Sequence, residues 1–343
     1  GNTVEVVVAQ DIAQQLAQGF AGGNPPDVFY LDAQRVGDLA QAGNLFPYAD
    51  QIDDVDDFVP SLRETFTVDG EEVCVPKDFS TLALQIREDA WTEAGLTDDD
   101  IPTTWEELQD VASQLATPER AGLVLAPSRD RLGAFMVQAG GWFVDEEGTE
   151  ATADSPENAE ALEYVSQLLE SGAARYFDQV DSGWGGEAFG TGRAAMAMEG
   201  NWIRGAMNND YPDVEYRVAE LPEGPAGQGT LLFTQCYGIA ADSDAQSQAV
   251  DFVNFLTSGE QQLTFSEATG VMPSRQSVQA DYEEANPDDA PFVAGAEYGQ
   301  GPVNAAGTEA VMADFDSSLS QLDAGNVEQV LQNVQGNLES ALG

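Results

Sequence analysis

The chain has 343 residues and a formal net charge of −49, because 61 Asp and Glu residues stand against 12 Lys and Arg residues and no His. Nucleic acid and anionic membranes are poor partners for so acidic a chain, since both carry negative charge themselves. A content of 42% hydrophobic and 9% aromatic residues, spread along the chain, argues against disorder. The length predicts about two domains, and no apolar run approaches the roughly 18 residues that a membrane-spanning helix needs.

The first quarter of the chain alternates between strand-like and helix-like patterns. We predict strands at residues 4–8, 27–31, 66–68, 73–75 and 81–87, and helices at residues 11–20 and 36–41. The first helix carries Ile12, Leu16 and Phe20 on one face. Asp69-Gly70 is a dipeptide typical of hairpin turns. This alternation predicts an α/β lobe with a parallel sheet.

The same alternation continues to the end of the chain. We predict strands at residues 123–126, 194–198, 215–218 and 230–234, and helices at residues 105–115, 132–139, 156–171, 246–256, 308–322 and 327–342. Thr104 and Glu107 suit the amino end of the helix at 105–115. Residues 127–131, Pro-Ser-Arg-Asp-Arg, are expected to form a loop after a strand.

The stretch 183–202 contains a Gly-rich loop, a short helix, a Gly-rich turn and a small apolar strand that stops at Gly200. Trp202 therefore follows the carboxyl end of a buried strand, where open α/β sheets hold their ligands. A flat aromatic ring there is a good platform for the apolar face of a sugar. Trp184, among glycines, is a second candidate wall. Packing is the alternative role for both indoles.

Phe189, Gly192, Arg193, Gly200 and Trp202, with Ala194-Ala195-Met196 between them, form the pattern F-x-x-G-[KR]-A-A-M-x-x-x-G-x-W. This pattern resembles the signature of extracellular solute-binding proteins of carbohydrate ABC importers, the maltose-binding-like group. Further segments resemble that family in the same order along the chain, at residues 24–30, 78–84, 102–108, 237–240 and 270–275.

The resemblance implies an α/β, two-lobed periplasmic-binding-protein-like fold (type II). Each lobe is expected to be a mostly parallel sheet flanked by helices, with the chain crossing between lobes about three times. Residues 1–79 and 238–301 would form lobe 1, and residues 80–237 and 302–343 would form lobe 2. The family's first strand-helix unit has no counterpart before residue 4. We therefore expect a longer natural protein and an incomplete list of ligand contacts.

The resemblance also implies which side chains line the cleft between the lobes. Asp32 and Arg35 are expected to contact sugar hydroxyls, because charge-assisted hydrogen bonds are about twice as strong as neutral ones. Surface ion pairing is their alternative role. The full set of expected ligand contacts is Asp32, Arg35, Asp78, Phe79, Ser80, Arg129, Arg131, Trp184, Asn201 and Trp202. Trp91, Trp105 and Trp142 are expected to serve in packing.

Two cysteines, Cys74 and Cys236, are too few for a disulfide scaffold and too far apart in sequence for a metal knuckle. Each lies beside one of the crossovers that the resemblance implies. We expect two buried free thiols, with a disulfide as the alternative. No cofactor and no metal are expected, since the acidic runs at 53–57 and 98–100 lack the glycine and spacing of a calcium loop.

The resemblance implies a substrate-binding component of an ABC sugar importer. It would close two lobes on a neutral mono- or oligosaccharide, act as a monomer, and dock on a membrane permease. It would be extracellular and tethered to the outer face of the membrane. The net charge predicts a haloarchaeal source, because salt screens the self-repulsion. A carbohydrate-active enzyme with paired cleft carboxylates and a surface-layer or adhesion component are the alternatives.

Overall fold

The structure is a computed structural model that describes residues 3–145 and 148–343. The helices are α1 Ile12–Gly22, α2 Val36–Gln41, α3 Pro60–Thr65, α4 Glu88–Glu93, α5 Trp105–Leu115, α6 Arg129–Ala139, α7 Pro156–Glu170, α8 Gly185–Gly190, α9 Ile203–Asp210, α10 Gln246–Leu256, α11 Gly259–Thr269, α12 Gln279–Ala285, α13 Ala290–Gly295, α14 Thr308–Leu319 and α15 Val327–Leu342. The strands are β1 Val28–Asp32, β2 Thr67–Val68, β3 Glu71–Glu72, β4 Pro76–Arg87, β5 Ala121–Leu125, β6 Ala174–Tyr176, β7 Ala194–Gly200, β8 Tyr216–Ala219, β9 Thr230–Ile239 and β10 Gly299–Gln300.

The main sheet has the strand order β1-β9-β4-β7-β5-β6, and β10 and β8 pair with β9 and β4 beside this path. Strand β5 runs parallel to β6 and β7, but β4 runs antiparallel to β7, β8 and β9, and β1 runs antiparallel to β9. The α/β class is confirmed. The sheet is mixed, however, and the expected mostly parallel arrangement is wrong. Every antiparallel pairing in this sheet involves β4 or β9.

Strands β4 and β9 connect two separate apolar cores. The first half of β4 pairs with β9, and its second half pairs with β7 and β8. One core contains Leu16, Leu31 and Tyr48 from early in the chain together with Cys236 and Val253. The other core contains residues of β4, β5, α5 to α7, α14 and α15. The structure is therefore two-lobed, and both lobes contain part of the two long strands.

Local signals set the ends of several elements. Helix α5 begins after Thr104, whose hydroxyl accepts a hydrogen bond from the backbone amide of Glu107 at 3.3 Å. It buries Trp105, Leu108, Val111, Ala112 and Leu115 on one face. Asp69-Gly70 does form a hairpin turn, with positive φ at both residues, between β2 and β3.

The predicted strand at residues 4–8 is wrong. These residues have no regular secondary structure, and the Val4, Val6, Val7 and Val8 side chains are exposed. An alternating apolar pattern specifies a strand only where a neighbouring strand supplies hydrogen bonds, and none of the described residues does so here.

The prediction of free thiols is also wrong, because Cys74 and Cys236 form a disulfide. Cys236 lies in β9 opposite Pro76 at the start of β4, which brings two cysteines that are 162 positions apart in sequence together. Both sulfurs are fully buried in the core that contains Leu31 and Tyr48. The described residues contain no helix that is both long and apolar enough to cross a bilayer.

Candidate functional site

A cavity of about 320 Å³ lies where β4 and β9 pass between the two cores. Its walls come from the carboxyl end of β1, the amino-terminal parts of β4 and β9, the first turn of α6, the residues after β7, and α11. The lining residues are Asp32, Ala33, Gln34, Lys77, Asp78, Ser80, Arg129, Asp130, Trp142, Trp202, Leu231, Leu232, Phe233, Thr234, Gln235, Phe265, Thr269, Val271, Gln300, Pro302 and Val303. Aromatic rings and polar groups therefore meet in one space, as they do in small-molecule sites.

Trp202 lies between the end of β7 and the start of α9, and its indole is held on several sides. Its Nε1–H donates to the carboxylate of Glu199 at 3.0 Å. Its ring packs edge-to-face on Phe233, with ring centroids 5.2 Å apart. A Cβ at Gly200 would overlap the indole, so glycine at this position makes room for the ring. The residues at the end of β7 therefore place the indole of Trp202 against the cavity.

Arg129 and Asp130 form the first turn of α6 rather than a loop, which corrects the prediction for residues 127–131. The carboxylate of Asp316, from α14, accepts hydrogen bonds from the backbone amide of Arg129 at 2.6 Å and from its guanidinium at 2.5 Å. An anion is favourable at the positive end of a helix. Burial nevertheless raises the pKa of Asp316 to about 6, with the positive charge of Arg129 opposing the shift.

The floor of the cavity is formed by side chains of β4 and its neighbours. Lys77 pairs with Asp78, and burial raises the pKa of that carboxyl while Lys77 opposes the shift. The ammonium of Lys77 also lies 4.8 Å from the Tyr30 ring centroid and 4.5 Å from that of Phe265. Ser80 donates to the side chain of Asn201, which is fully buried beneath it.

Asp32, the last residue of β1, accepts a hydrogen bond from the amide of Gln235 at 2.5 Å. Gln235 lies opposite Asp32 on β9 and lines the same cavity. The carboxylate of Asp32 has no ion pair in the part of the chain that the structure describes. It remains available to accept hydrogen bonds from a ligand.

Five of the ten expected contacts line the cavity: Asp32, Asp78, Ser80, Arg129 and Trp202. The other five lie elsewhere. Arg35 turns away to pair with Glu309 of α14 at 3.0 Å. Arg131 pairs with Glu199, and Asn201 lies behind Ser80.

Phe79 points from β4 into the apolar cluster that contains Leu62 and Phe292. Trp184 packs over Gly186 and beside Phe189, outside the cavity. These two side chains therefore lie outside the cavity, and the expectation that they contact a ligand stays a prediction. Successive side chains on a strand point to opposite faces, which places Phe79 on the face of β4 away from Asp78 and Ser80.

Several lining residues were missed in the sequence. Trp142 was expected to serve in packing, but it lies at the wall with its ring 5.0 Å from that of Phe143. Its position directly after Gly140-Gly141 at the end of α6 is the signal that could have found it. Phe233 and Phe265 sit within apolar or mixed stretches, and their sequence gives no such signal.

The described residues contain no group of three or more His, Cys, Asp or Glu side chains placed to hold a metal ion. The site instead offers hydrogen-bond acceptors and donors beside aromatic faces. This combination suits polyhydroxylated molecules, whose hydroxyls need polar partners and whose ring faces need apolar cover.

Comparisons with known proteins agree with this geometry. The family model described as bacterial extracellular solute-binding protein matches residues 1–292. The diacetylchitobiose binding protein of Streptomyces coelicolor is 21% identical over 78% of this chain and 65% of its own length. The cyclic alpha-maltosyl-1,6-maltose binding protein of Arthrobacter globiformis is 26% identical, with a TM-score of 0.81 over 97% of this chain and 88% of that chain.

An ABC substrate-binding protein of Listeria monocytogenes, solved in complex with cycloalternan, has a TM-score of 0.87 at 22% identity, over 98% of this chain and 90% of that chain. The comparisons give no support to the alternative of a carbohydrate-active enzyme, because family members bind solutes rather than transform them. The match over residues 1–292 covers most of the chain, and the chain therefore belongs to the bacterial extracellular solute-binding protein family.

Proposed function

We propose that this protein is the substrate-binding component of an ABC sugar importer and that it binds a neutral mono- or oligosaccharide between its lobes. The observation that carries the proposal is the cavity in which Trp142, Trp202 and Phe233 meet the polar groups of Asp32 and Gln235. Stacking on the rings would supply contact area, and hydrogen bonds to the hydroxyls would fix orientation. The relatives named above, which bind oligosaccharides by their titles, support the same class of ligand.

The charges that line the cavity favour an uncharged ligand. Both lining cations already have carboxylate partners, since Lys77 pairs with Asp78 and Arg129 pairs with Asp316. Asp32 and Asp130 add negative charge to the same walls. A phosphate or carboxylate group on the ligand would therefore meet net repulsion, whereas a hydroxyl would meet acceptors.

Hinge closure of the two lobes around the ligand is the expected mechanism. We assign residues 1–79 and 238–301 to lobe 1 and residues 80–237 and 302–343 to lobe 2. The separate apolar cores support this division except at Cys236 and Tyr237, which pack in the core of lobe 1. The closed form would act as a monomer and deliver its ligand to a membrane permease. We also propose that the protein is tethered to the outer face of the membrane, that it comes from a saline habitat, and that it has no enzymatic activity.

A thermal-shift screen and calorimetric titration against a panel of neutral sugars tests the proposal. We expect saturable binding of at least one neutral sugar and weaker binding of its phosphorylated form. Trp202→Ala should weaken binding at least about tenfold, which corresponds to about 1.4 kcal/mol.

Trp184→Ala is the matched control, because Trp184 is also half-buried but lies outside the cavity. It should lower stability without changing affinity. The proposal fails if no neutral sugar binds, or if the two variants change affinity equally. Chromatography of the incubated sugar should recover it intact, and a hydrolysed product would favour an enzyme.

A further inference from the structure

Glu199 is a buried carboxylate at the end of β7, and its side chain is only 3% exposed. Its Oε2 accepts two hydrogen bonds, one from the indole Nε1–H of Trp202 at 3.0 Å and one from the guanidinium of Arg131 at 2.5 Å. Glu199 is absent from the lining of the cavity, whereas Trp202 is part of it. One buried charge therefore holds an indole that lines the cavity.

The backbone of Glu199 is fixed by a second, buried side chain. Gln85 of β4 accepts from the backbone N–H of Glu199 and donates to its backbone C=O, each at 3.0 Å. Gln85 is fully buried. The carboxylate therefore projects from a position that both its strand and the neighbouring strand hold in place.

Arg131 supports the same indole from a different direction. Its guanidinium carbon lies 5.1 Å from the centroid of the Trp202 ring, within range of a cation–π contact. Trp202 lines the cavity and Arg131 does not. The guanidinium therefore contacts the indole without itself lining the cavity. Its NH1 also donates to the backbone C=O of Asp130, which ties it to the first turn of α6.

We propose that Glu199 is a positioning residue that, together with Arg131, sets the plane of the Trp202 indole for ligand stacking. The proposal rests on the proposed function and deepens it. A buried carboxylate is costly unless it is paired and hydrogen-bonded. The carboxylate of Glu199 pairs with the guanidinium of Arg131 and accepts a hydrogen bond from the indole of Trp202. These two groups also contact each other, so the charge of Glu199 fixes their mutual arrangement. A rigid platform binds more tightly because less side-chain freedom is lost on binding.

Glu199→Gln tests the proposal, because it keeps a hydrogen-bond acceptor for the indole and removes the charge that holds Arg131. We expect the ¹⁵N–¹H signal of the Trp202 indole to shift in the ligand-free variant, with the signals of the other four tryptophans unchanged; the chain has 5 in all. The Trp202 signal is assigned by its absence from Trp202→Phe. Sugar affinity should fall at least about fivefold, as expected for losing a charge-assisted hydrogen bond.

A double-mutant cycle on sugar affinity separates positioning from a general structural effect. In Trp202→Phe the ring remains and the Nε1 donor is lost, so adding Glu199→Gln should then change affinity by less than about twofold. Glu88→Gln is the matched control, since Glu88 holds Arg217 through two bonds of 2.6 Å away from the cavity. It should leave both the indole signal and affinity unchanged.

Additive losses in the cycle, an unmoved Trp202 signal in Glu199→Gln, or wild-type affinity in that variant would each overturn the proposal. If Glu199→Gln does not fold, Glu199→Gln/Arg131→Gln, which removes both charges, is measured in its place against the same criteria. A wild-type protein that binds no sugar refutes the proposed function instead, and the indole signal then still decides whether Glu199 positions Trp202.

Discussion

Breaking the bond between Cys74 and Cys236 should lower the stability of the folded protein by several kcal/mol. The two residues are 162 positions apart, so the bond closes a very long loop in the unfolded chain. The chain-entropy relation for a loop of this length gives about 5 kcal/mol at 25 °C. This value is an upper figure, because residual structure in the unfolded chain reduces the effect.

Urea unfolding followed by far-ultraviolet circular dichroism, at one fixed salt concentration, measures this change. We compare the oxidised protein, the same protein with a reductant, and Cys74→Ala/Cys236→Ala. Both cysteines are fully buried, so the alanine variant also loses packing contacts. The reduced wild-type protein keeps every atom of the core and isolates the effect of the covalent bond.

We expect the reduced protein to unfold at lower urea than the oxidised protein, and the alanine variant at or below the reduced one. Thiol titration of the unreduced, denatured protein should detect no free thiol. Two titrating thiols, or equal midpoints for the oxidised and reduced protein, would refute the reasoning that this bond constrains the unfolded chain.

Three further predictions concern charge and packing. Burial raises the pKa of Asp316 to about 6, so between about pH 4 and pH 6 the folded state holds this proton more tightly than the unfolded chain does. The contribution of Asp316 to the free energy of unfolding should therefore fall as pH rises through that range, by at most about 3 kcal/mol. In urea titrations at each pH, Asp316→Asn should remove this part of the dependence of stability on pH. Gly122→Ala should destabilise the folded protein by about 1–3 kcal/mol or more, because a Cβ there would overlap the backbone oxygen of Ala112 in α5. Gly336→Ala, on the exposed face of α15, should instead stabilise the folded protein by up to about 1 kcal/mol. The melting temperature should rise as NaCl increases from about 0.1 M to about 1 M, because the screening length falls from about 10 Å to about 3 Å and the net charge is −49.

Each of these predictions has a clear contrary outcome. An unchanged pH slope in Asp316→Asn would mean that this carboxyl titrates near its usual value. Equal stability changes in the two glycine variants would mean that the close approach of α5 to β5 is relaxed in solution. A melting temperature that is independent of NaCl, or one that sucrose raises equally, would contradict the role of charge screening.

Local sequence signals determined much of the secondary structure. The bounds of α2, α5, α10 and α15 agree with their predicted ranges, because apolar periodicity acts over a few positions and, in α5, Thr104 caps the first turn. The small apolar strand that stops at Gly200 also placed Trp202 correctly beside a cavity. The family itself was evident from the pattern around that strand.

Only the tertiary structure decided which side chains share the cavity and which partners they have. Arg129 lines the cavity and Arg131 does not, although both lie in the first turn of α6. The reason is that Arg129 pairs with Asp316, whereas Arg131 pairs with Glu199. Trp142 rather than Trp184 joins Trp202 at the wall. These outcomes, like the disulfide and the antiparallel pairing of β4, depend on contacts between residues far apart in sequence. Short-range patterns carry no information about such contacts. They therefore specified several of the helices and strands, whereas the packed fold specified the site.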